Sequence, residues 1–216
     1  MIFWDWNGTL INDTPVNVDI FNRVREHYGH APVSVERYRE IYQHPIRGMY
    51  EQSGFDFAKD SYEDIAERWI QIYHTYPNPP KLHDDTVPVL EAFQEKGARQ
   101  AILSALPHAA LEKAVAHHGI DHFFEAVRGA VDVFGHGKVF EGVQLARHVE
   151  LAGADITIVG DSTHDAEVAQ ELGARCYLVS LGAESERRLL ETGFPVCGSL
   201  SDVYRQVHGH TPPTIP

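Results

Sequence analysis

From Thr86 onwards, short apolar segments alternate with segments of helical periodicity, and this alternation constrains the fold more than any other feature. The segments 99–104 and 156–160 have the length of strands, and the second is rich in β-branched residues, which favour strands. Each is followed by a segment whose apolar residues recur at helical spacing. A regular alternation of strands and helices predicts a parallel sheet with helices on both faces. We therefore expect an α/β fold.

Residues 13–82 have a different pattern, with helical periodicity throughout and no strand. The first helix is predicted to begin at Asp13, a capping residue that precedes a threonine and a proline. Ser34 is expected to cap a second helix, and Ser61 a longer one. These residues therefore predict an all-helical insertion.

The insertion divides the chain into two predicted domains. Residues 1–12 and 83–216 would form the α/β core, and residues 13–82 would form a helical cap. The cap would join the core through crossing segments at about 10–14 and 76–81, and it would lie over the carboxyl ends of the strands. Caps of this kind exclude water and complete a site when they close.

The segment of residues 2–10 predicts a short buried strand that leads into a tight turn. Asp5 stands at the end of this strand, and ligands bind at the carboxyl ends of strands in open α/β sheets. Asp5 is therefore a candidate nucleophile or metal ligand, and Gly8 would let the backbone approach a ligand closely. The alternative is a buried strand followed by an ordinary turn that an Asp or Asn side chain stabilises.

A second acidic site follows the strand predicted at 156–160. Asp161 and Asp165 stand four residues apart, at the end of this strand and the beginning of a helix. Carboxylate oxygens are ligands that Mg²⁺ prefers, and acids that meet at a strand end repel one another unless a cation lies among them. The alternative is that Asp161 only caps the helix.

Together these segments resemble the motifs of the haloacid dehalogenase-like hydrolases, over essentially the whole chain. Residues 5–9, Asp-Trp-Asn-Gly-Thr, resemble the first motif, Asp-x-Asp-x-Thr, with Asn7 in place of the second acid. Ser104 and Lys138 stand where the family has its phosphate-binding hydroxyl and its lysine, and residues 160–165 match Gly-Asp-x-x-x-Asp. The insertion is placed as in the subgroup of phosphoglycolate phosphatase-like and β-phosphoglucomutase-like enzymes. The resemblance implies a doubly wound parallel sheet, a Rossmann-like core, with an inserted all-helical cap.

The resemblance also implies a reaction. Asp5 would attack phosphorus of a small phosphorylated metabolite and form an aspartyl-phosphate, which divides one difficult displacement into two easier ones. The cofactor would be Mg²⁺, and its ligands would be Asp5, the backbone carbonyl of Asn7, Asp161 and Asp165. The phosphate would be bound by side chains and backbone N–H groups at Trp6, Thr9, Ser104, Ala105 and Lys138.

Asn7 is the one departure from the family pattern. In the family phosphatases the second acid protonates the leaving group and then activates water, and such help is worth about 10²–10⁴-fold. An Asn side chain has no acidic proton to give, so we expect a slow phosphatase, or one that favours good leaving groups such as aryl or acyl phosphates. Deamidation is a second possibility at this position, because the Asn7-Gly8 sequence could be converted so that residue 7 becomes an aspartate.

Asn7 also leaves other functions open. The protein could be a catalytically weak or inactive binding module that holds Mg²⁺ and a phosphorylated ligand. A haloacid dehalogenase would use Asp5 without a metal, which the two later acids disfavour. A phosphonoacetaldehyde hydrolase would need a lysine in the first cap helix, whereas the cap has lysines only at Lys59 and Lys81.

Residues 44–48 predict a loop between cap helices, and Arg47 could bind a carboxylate or a second phosphate of the substrate. A surface arginine is the more common outcome and is the interpretation we prefer. For the same reason His164 is predicted as a surface residue at a helix start. Trp4 and Trp6 are predicted as packing residues.

The composition limits the partners of the protein. The formal net charge of -13 makes nonspecific attraction to nucleic acid or to an anionic membrane surface unfavourable. No apolar run is long enough to cross a bilayer, and no secretory signal is visible, so we expect a cytoplasmic protein. A chain of 216 residues allows one core domain with a small insertion, and we expect a monomer or a homodimer.

Overall fold

The structure of the protein is a computed structural model that describes residues 1–43, 45–130 and 137–209. The strands of these residues are β1 Ile2–Trp4, β2 Ile11–Asn12, β3 Lys81–Leu82, β4 Gln100–Pro107, β5 Ala126–Ala130, β6 Thr157–Gly160, β7 Arg175–Val179 and β8 Val196–Cys197. The α-helices are α1 Thr14–His27, α2 Val35–Ile41, α3 Ile46–Gln52, α4 Tyr62–His74, α5 Thr86–Glu95, α6 His108–His117, α7 Gly137–His148, α8 Thr163–Leu172, α9 Glu186–Glu191 and α10 Leu200–His208. None of these described helices is long and apolar enough to cross a membrane.

Six of the described strands form one parallel sheet in the order β5-β4-β1-β6-β7-β8. β1 lies inside this sheet, where Ile2 pairs with Gln100 of β4 on one side and with Thr157 of β6 on the other. The chain adds strands outward from β1 in one direction and then in the other, so the strand order reverses beside β1. Ligands bind at such a reversal in doubly wound sheets. The predicted doubly wound α/β core with inserted helices is confirmed.

Alternating side chains of β1 reach the two apolar layers that cover the sheet. Phe3 packs on one face with residues of α7 and α8, and Trp4 packs on the other with residues of α5 and α10. The indole of Trp4 donates to Gln100 Oε1 at 2.9 Å and meets the ring of Phe93 edge-on. Trp6 is buried as well, so both tryptophans are packing residues, as the sequence predicted. These contacts fix the end of β1 and the turn that follows it.

Helices α1 to α4 pack around an apolar cluster of their own. Ser34 and Ser61 cap the N-termini of α2 and α4 as predicted, because each hydroxyl accepts a hydrogen bond from a backbone N–H of the first turn. The division of the chain into a core and a cap at residues 13–82 stays a prediction. Buried members of this cluster include Phe21, Tyr38, Ile41, Tyr50 and Ile65.

The chain enters and leaves the helical region through two short strands that pair with each other. β2 and β3 are antiparallel, with Ile11 opposite Leu82 and Asn12 opposite Lys81. The prediction that no strand lies between residues 13 and 82 is therefore wrong at Lys81 and Leu82. A strand of two residues has no periodicity of its own, and its partner stands at the far end of the helical region. Nothing in the local sequence could therefore indicate it.

Two further interpretations of the cap sequence are wrong. Asp13 precedes α1, but its side chain makes no capping hydrogen bond. Residues 46–48 belong to α3 rather than to a loop. His44, which the sequence placed in the same loop, lies outside the described residues.

Candidate active site

Three neighbouring strands of the sheet place polar side chains at one edge. Asp5 directly follows β1, and Asp161 directly follows β6. The N–H of Asp5 donates to the carbonyl of Val159 at 2.8 Å, which extends the pairing of β1 with β6 to the acid itself. Ser104 lies in β4, which continues to Pro107 instead of ending at Ser104, with a register shift on the way. Asp5, Ser104 and Asp161 line one cavity at the edge where the strand order reverses.

Three buried acids meet at this edge. One carboxylate oxygen of each of Asp5, Asp161 and Asp165 lies within 4.8 Å of the others. Lys138, from the first turn of α7, contacts Asp5 Oδ1 through Nζ, which also lies 2.6 Å from Asp165 Oδ1. Thr9 Oγ1 lies 3.3 Å from Asp5 Oδ2 and 3.4 Å from Asp161 Oδ1. The structure therefore brings together five residues that the sequence indicated separately.

This cluster has the composition of a divalent cation site. Three carboxylates face one ammonium, so two negative charges remain when all four groups are ionised. Burial, and then the charges of Asp5 and Asp165, hold the pKa of Asp161 well above its usual value. Burial lowers the pKa of Lys138, but the charges of Asp165 and Asp5 raise the pKa by more than burial lowers it. The ammonium therefore stays charged. A Mg²⁺ ion prefers oxygen ligands and would supply the two missing positive charges, so these residues fit it.

Two glycines leave room for the carboxylate of Asp161, whose Oδ2 accepts a hydrogen bond from the N–H of Ala183 at 2.7 Å. A Cβ on Gly182 would lie 1.7 Å from that oxygen, and a Cβ on Gly8 would lie 2.3 Å from it. Gly8 also has a φ of +75°, a conformation that other residues rarely adopt. The loop 181–183 is therefore part of the site. Sequence reasoning missed this loop because no motif marks it.

Asn7 is held by Asp13, a site residue that the sequence analysis interpreted as a helix cap. Asn7 Nδ2 donates to Asp13 Oδ2 at 2.8 Å, and the N–H of Gly8 donates to Asp13 Oδ1 at 2.8 Å. Asn17 Nδ2 also donates to Asp13 Oδ2, at 2.9 Å. Burial raises the pKa of Asp13, against the effect of the hydrogen bonds from Asn7 and Asn17. An acid just before a Thr-Pro helix start is typical of a cap, so the sequence offered no signal for this contact.

Two further residues, one predicted for the site and one predicted for the surface, lie in the cavity wall. Ala105 lines the cavity beside Ser104, whose Oγ accepts a hydrogen bond from the N–H of Leu106 at 3.1 Å. His164, which was predicted as a surface residue, is half-buried and lines the same cavity.

Arg47 does not reach the other candidates. Its guanidinium lies 4.4 Å from the ring centroid of Phe57, and its Nε lies 3.6 Å from Glu51 Oε1. The side chain is 52% exposed, and Arg47 does not belong to the cavity wall. This placement is consistent with the surface arginine that the sequence analysis preferred.

A cavity of about 510 Å³ opens above the acidic cluster, between the sheet edge and helices α1 to α4. Its volume falls within the range of about 300–1,000 Å³ that is typical of small-molecule sites. The floor is polar, whereas the opposite wall is built from apolar and aromatic side chains of the helical region between β2 and β3. That wall includes Tyr42, Tyr62, Trp69, Ile70 and Tyr73.

Comparison with known proteins agrees with this arrangement. The family model of the haloacid dehalogenase-like hydrolases matches residues 2–179. A phosphoglycolate phosphatase from Rhodobacter capsulatus is 27% identical over 176 residues, which cover 80% of each chain. Pyrophosphatase PpaX from Bacillus pumilus is 26% identical over 200 residues, which cover 88% of this chain and 87% of the relative. The solved structure of a haloacid dehalogenase-like family hydrolase from Streptococcus pneumoniae has a TM-score of 0.75 at 20% identity, and the match covers 96% of this chain and 97% of that one.

The chain therefore belongs to the haloacid dehalogenase-like hydrolases, and the resemblance seen in its motifs is confirmed. Within this family it is similar to phosphoglycolate phosphatase-like members. The match to the solved structure, at low identity, supports the fold.

Proposed function

We propose that this protein is a Mg²⁺-dependent phosphatase that hydrolyses a small phosphorylated metabolite through an aspartyl-phosphate. The observation that carries the proposal is the buried cluster of three acids and one lysine at the ends of β1 and β6. Membership of a hydrolase family supports hydrolysis as the reaction. Relatives named as a phosphoglycolate phosphatase and a pyrophosphatase support phosphate compounds as substrates.

Asp5 is the proposed nucleophile. Burial raises the pKa of Asp5 to about 6, and the ammonium of Lys138, which contacts the carboxylate, opposes this shift and favours the ionised form. Attack of an Asp5 oxygen on phosphorus forms a new P–O bond while the bond to the leaving alkoxide breaks, and water then hydrolyses the aspartyl-phosphate to inorganic phosphate. Lys138 and the hydroxyl groups of Thr9 and Ser104 are proposed to stabilise the charge on the phosphoryl oxygens.

The proposed metal ligands are the carboxylates of Asp5 and Asp161, the backbone carbonyl of Asn7 and, in or just behind the ligand shell, Asp165. When bound, Mg²⁺ would neutralise negative charge on the transferring phosphoryl group. Asp165 already binds Lys138, and its Oδ2 accepts a hydrogen bond from the hydroxyl of Ser162 at 2.7 Å. These contacts position both the acid and the lysine.

Phosphate release from p-nitrophenyl phosphate tests this proposal. We expect release to require Mg²⁺ and to stop in Asp5→Asn. Release should persist in Asp121→Asn, a matched change of an exposed acid. The acid-quenched enzyme should carry one phosphoryl group on the peptide that contains Asp5, which distinguishes covalent catalysis from direct attack by water.

A binding module is the second candidate function, and Asn7 is the observation that favours it. The missing general acid and base would cost about 10²–10⁴-fold in rate. A protein that binds Mg²⁺ but releases no phosphate from p-nitrophenyl phosphate would contradict the phosphatase proposal and support the module. Metal-independent release of halide from a 2-haloacid would instead indicate a dehalogenase.

A further inference from the structure

The charged side chains that line the cavity limit the charge that the leaving group of the substrate can have. Apart from Lys138, the described residues that line it include no lysine and no arginine. Lys138 is already engaged by Asp5 and Asp165. Asp13 and Asp161 add further acids to the same floor. A substrate with a second negative charge, such as a carboxylate, would therefore meet no lysine or arginine that is free to pair with it among the described residues that line the cavity, and a buried charge without a partner is costly.

Two arginines of the cap are committed elsewhere. Arg39 donates to the backbone carbonyls of Leu181 and Gly182, each at 2.8 Å. Arg47 lies over the ring of Phe57, outside the cavity wall. Neither guanidinium is placed to bind a carboxylate of the substrate.

The wall opposite the acids is aromatic instead. Trp69 and Tyr73 stand one turn apart on α4, and their rings stack nearly parallel with centroids 5.0 Å apart. Ile70 and Tyr73 line the cavity but are 51% and 42% exposed, and neither belongs to the apolar clusters of the described residues. Large apolar side chains that stay open beside a ligand site mark a surface that a ligand covers.

We propose that the substrate is a phosphate monoester of an uncharged alcohol with an aromatic or bulky apolar body, which lies against Trp69, Ile70 and Tyr73. This inference rests on the proposed function for the phosphate half of the site and assigns the other half. Hydrolysis of such an ester adds water across the P–O bond and gives inorganic phosphate and the free alcohol. Aromatic walls bind aromatic groups through apolar burial and through stacked or edge-on ring contacts. The similarity to phosphoglycolate phosphatases would then extend to the chemistry at phosphorus and not to the leaving group.

Two phosphonates that cannot be hydrolysed test the cavity apart from the chemistry. 2-Phenylethylphosphonate and 3-phosphonopropionate are isosteres of benzyl phosphate and of phosphoglycolate, and they differ only in a phenyl ring against a carboxylate. In calorimetric titration with Mg²⁺ present, we expect a Kd at least about tenfold lower for the phenyl compound. Equal binding, or tighter binding of the carboxylate, overturns the inference.

Variants of α4 test where the ring binds. Tyr73→Ser should weaken binding of 2-phenylethylphosphonate by about 2- to 12-fold, the range for one aromatic pair, whereas Tyr73→Phe should retain it. Neither should change binding of 3-phosphonopropionate. Leu190→Ser is the matched control, because Leu190 is 58% exposed on α9 and does not line the cavity. A Tyr73→Ser protein that binds the phenyl compound as the wild type does overturns the assignment of this wall.

Turnover separates this inference from the proposed function. Benzyl phosphate should have a higher kcat/KM than phosphoglycolate, and because both esters release an alkoxide, the difference does not depend on Asn7. If the phenyl phosphonate binds more tightly but neither ester is hydrolysed, the phosphatase proposal fails and the assignment of the cavity stands. Mg²⁺-dependent hydrolysis with a preference for phosphoglycolate retains the phosphatase and overturns the inference.

Discussion

Asn7 donates its side-chain amide to the carboxylate of Asp13, and this contact defines the electrostatic environment of the position. A carboxyl group at the same position would face the buried carboxylate of Asp13. Two carboxyl groups within hydrogen-bonding distance of each other share one proton, because the negative charge of the first disfavours ionisation of the second. A carboxyl that keeps its proton near neutral pH is suited to general acid catalysis. The surroundings of Asn7 therefore suit an acid, although the chain has an amide there.

Asn7→Asp is expected to accelerate hydrolysis of alkyl phosphate esters by about 10²-fold or more, because the new carboxyl can protonate the leaving alkoxide and then activate water. An aryl ester, which has a better leaving group, should gain less. Asn17→Asp is the matched control, since it places a carboxyl against the same Asp13 Oδ2 from α1. Steady-state kinetics on one alkyl and one aryl ester measure the effect. Unchanged or slower turnover of the alkyl ester in Asn7→Asp would contradict this role. Before the comparison, the intact mass of the wild-type protein must show that Asn7 is not deamidated.

The catalytic candidates could be predicted from sequence because each stands in a short pattern that places it. Asp5 and Asp161 follow buried strands, and Lys138 and Asp165 stand in the first turns of helices, so a parallel sheet alone brings them to one edge. The contact of Asp13 with Asn7 could not be predicted in this way. An acid before a helix satisfies the capping pattern whichever way its side chain turns, and the tertiary structure decides the direction.

At the scale of elements, helix α2 forms hydrogen bonds with the loop 181–185 of the core, and this loop forms a hydrogen bond with Asp161. Arg39 donates from Nε and Nη2 to the successive carbonyls of residues 181–182, each at 2.8 Å. The N–H of Ser185 returns a hydrogen bond to the carbonyl of Arg39 at 3.1 Å. Between these contacts, Ala183 donates to the carboxylate of Asp161. A displacement of α2 would therefore reach the acidic cluster through this one loop.

Arg39→Ala should loosen the loop 181–185 without unfolding α2, which keeps its buried Tyr38 and Ile41. Hydrogen bonds from a charged donor contribute roughly 1.5–3 kcal/mol each, so we expect hydrogen exchange in the loop to become about tenfold faster or more. Arg37→Ala, which removes an exposed arginine of the same helix, is the matched control. Exchange measured by mass spectrometry should separate the two variants. Equal exchange in both would show that α2 and the loop are not coupled.

The elements that sequence analysis missed are those that long-range contacts create. β6 could be predicted because three of its four residues, Thr157, Ile158 and Val159, are β-branched and favour a strand. β2 and β3 contain two residues each and exist only through their pairing with each other. Helix α3 has seven residues, follows Pro45 and includes Gly48, so its helical pattern is too short and too weak to distinguish from a loop.

At the scale of the whole molecule, the acidic cluster opposes the stability that the apolar clusters provide. Two of these clusters cover the faces of the sheet and a third lies among α1 to α4, while the acids lie where the helices face the sheet edge. In the unfolded chain Asp5, Asp161 and Asp165 are hydrated and far apart. In the fold they are buried together with a single ammonium. Without a bound cation, ionisation of this cluster therefore lowers the free energy of unfolding.

Asp161→Asn should consequently stabilise the metal-free protein, although it removes a proposed ligand. Burial and the charges of Asp5 and Asp165 raise the pKa of Asp161 in the fold, so the folded state binds this proton more tightly than the unfolded state does. The protonated carboxyl of Asp161 therefore contributes stability below its pKa in the unfolded chain. This contribution is lost as the pH rises towards the higher pKa that the group has in the folded state. At neutral pH in EDTA, we expect the variant to have a Tm about 2–4 °C above the wild type, which corresponds to ~1 kcal/mol in a chain of this size.

Mg²⁺ should reverse the order of the two proteins. Because the ion is proposed to bind the folded cluster and not the unfolded chain, excess Mg²⁺ should raise the Tm of the wild type and have a smaller effect on Asp161→Asn. Differential scanning calorimetry in EDTA and in Mg²⁺, at acidic and at neutral pH, measures both effects. The contribution of Asp161 to stability falls between these two pH values, so the Tm of the metal-free variant should exceed that of the metal-free wild type by more at neutral pH than at acidic pH. Asp121→Asn, which changes an exposed acid, controls for the loss of one charge from a chain of net charge -13. A variant less stable than the wild type in EDTA would mean that the hydrogen bond from Ala183 outweighs the repulsion among the acids.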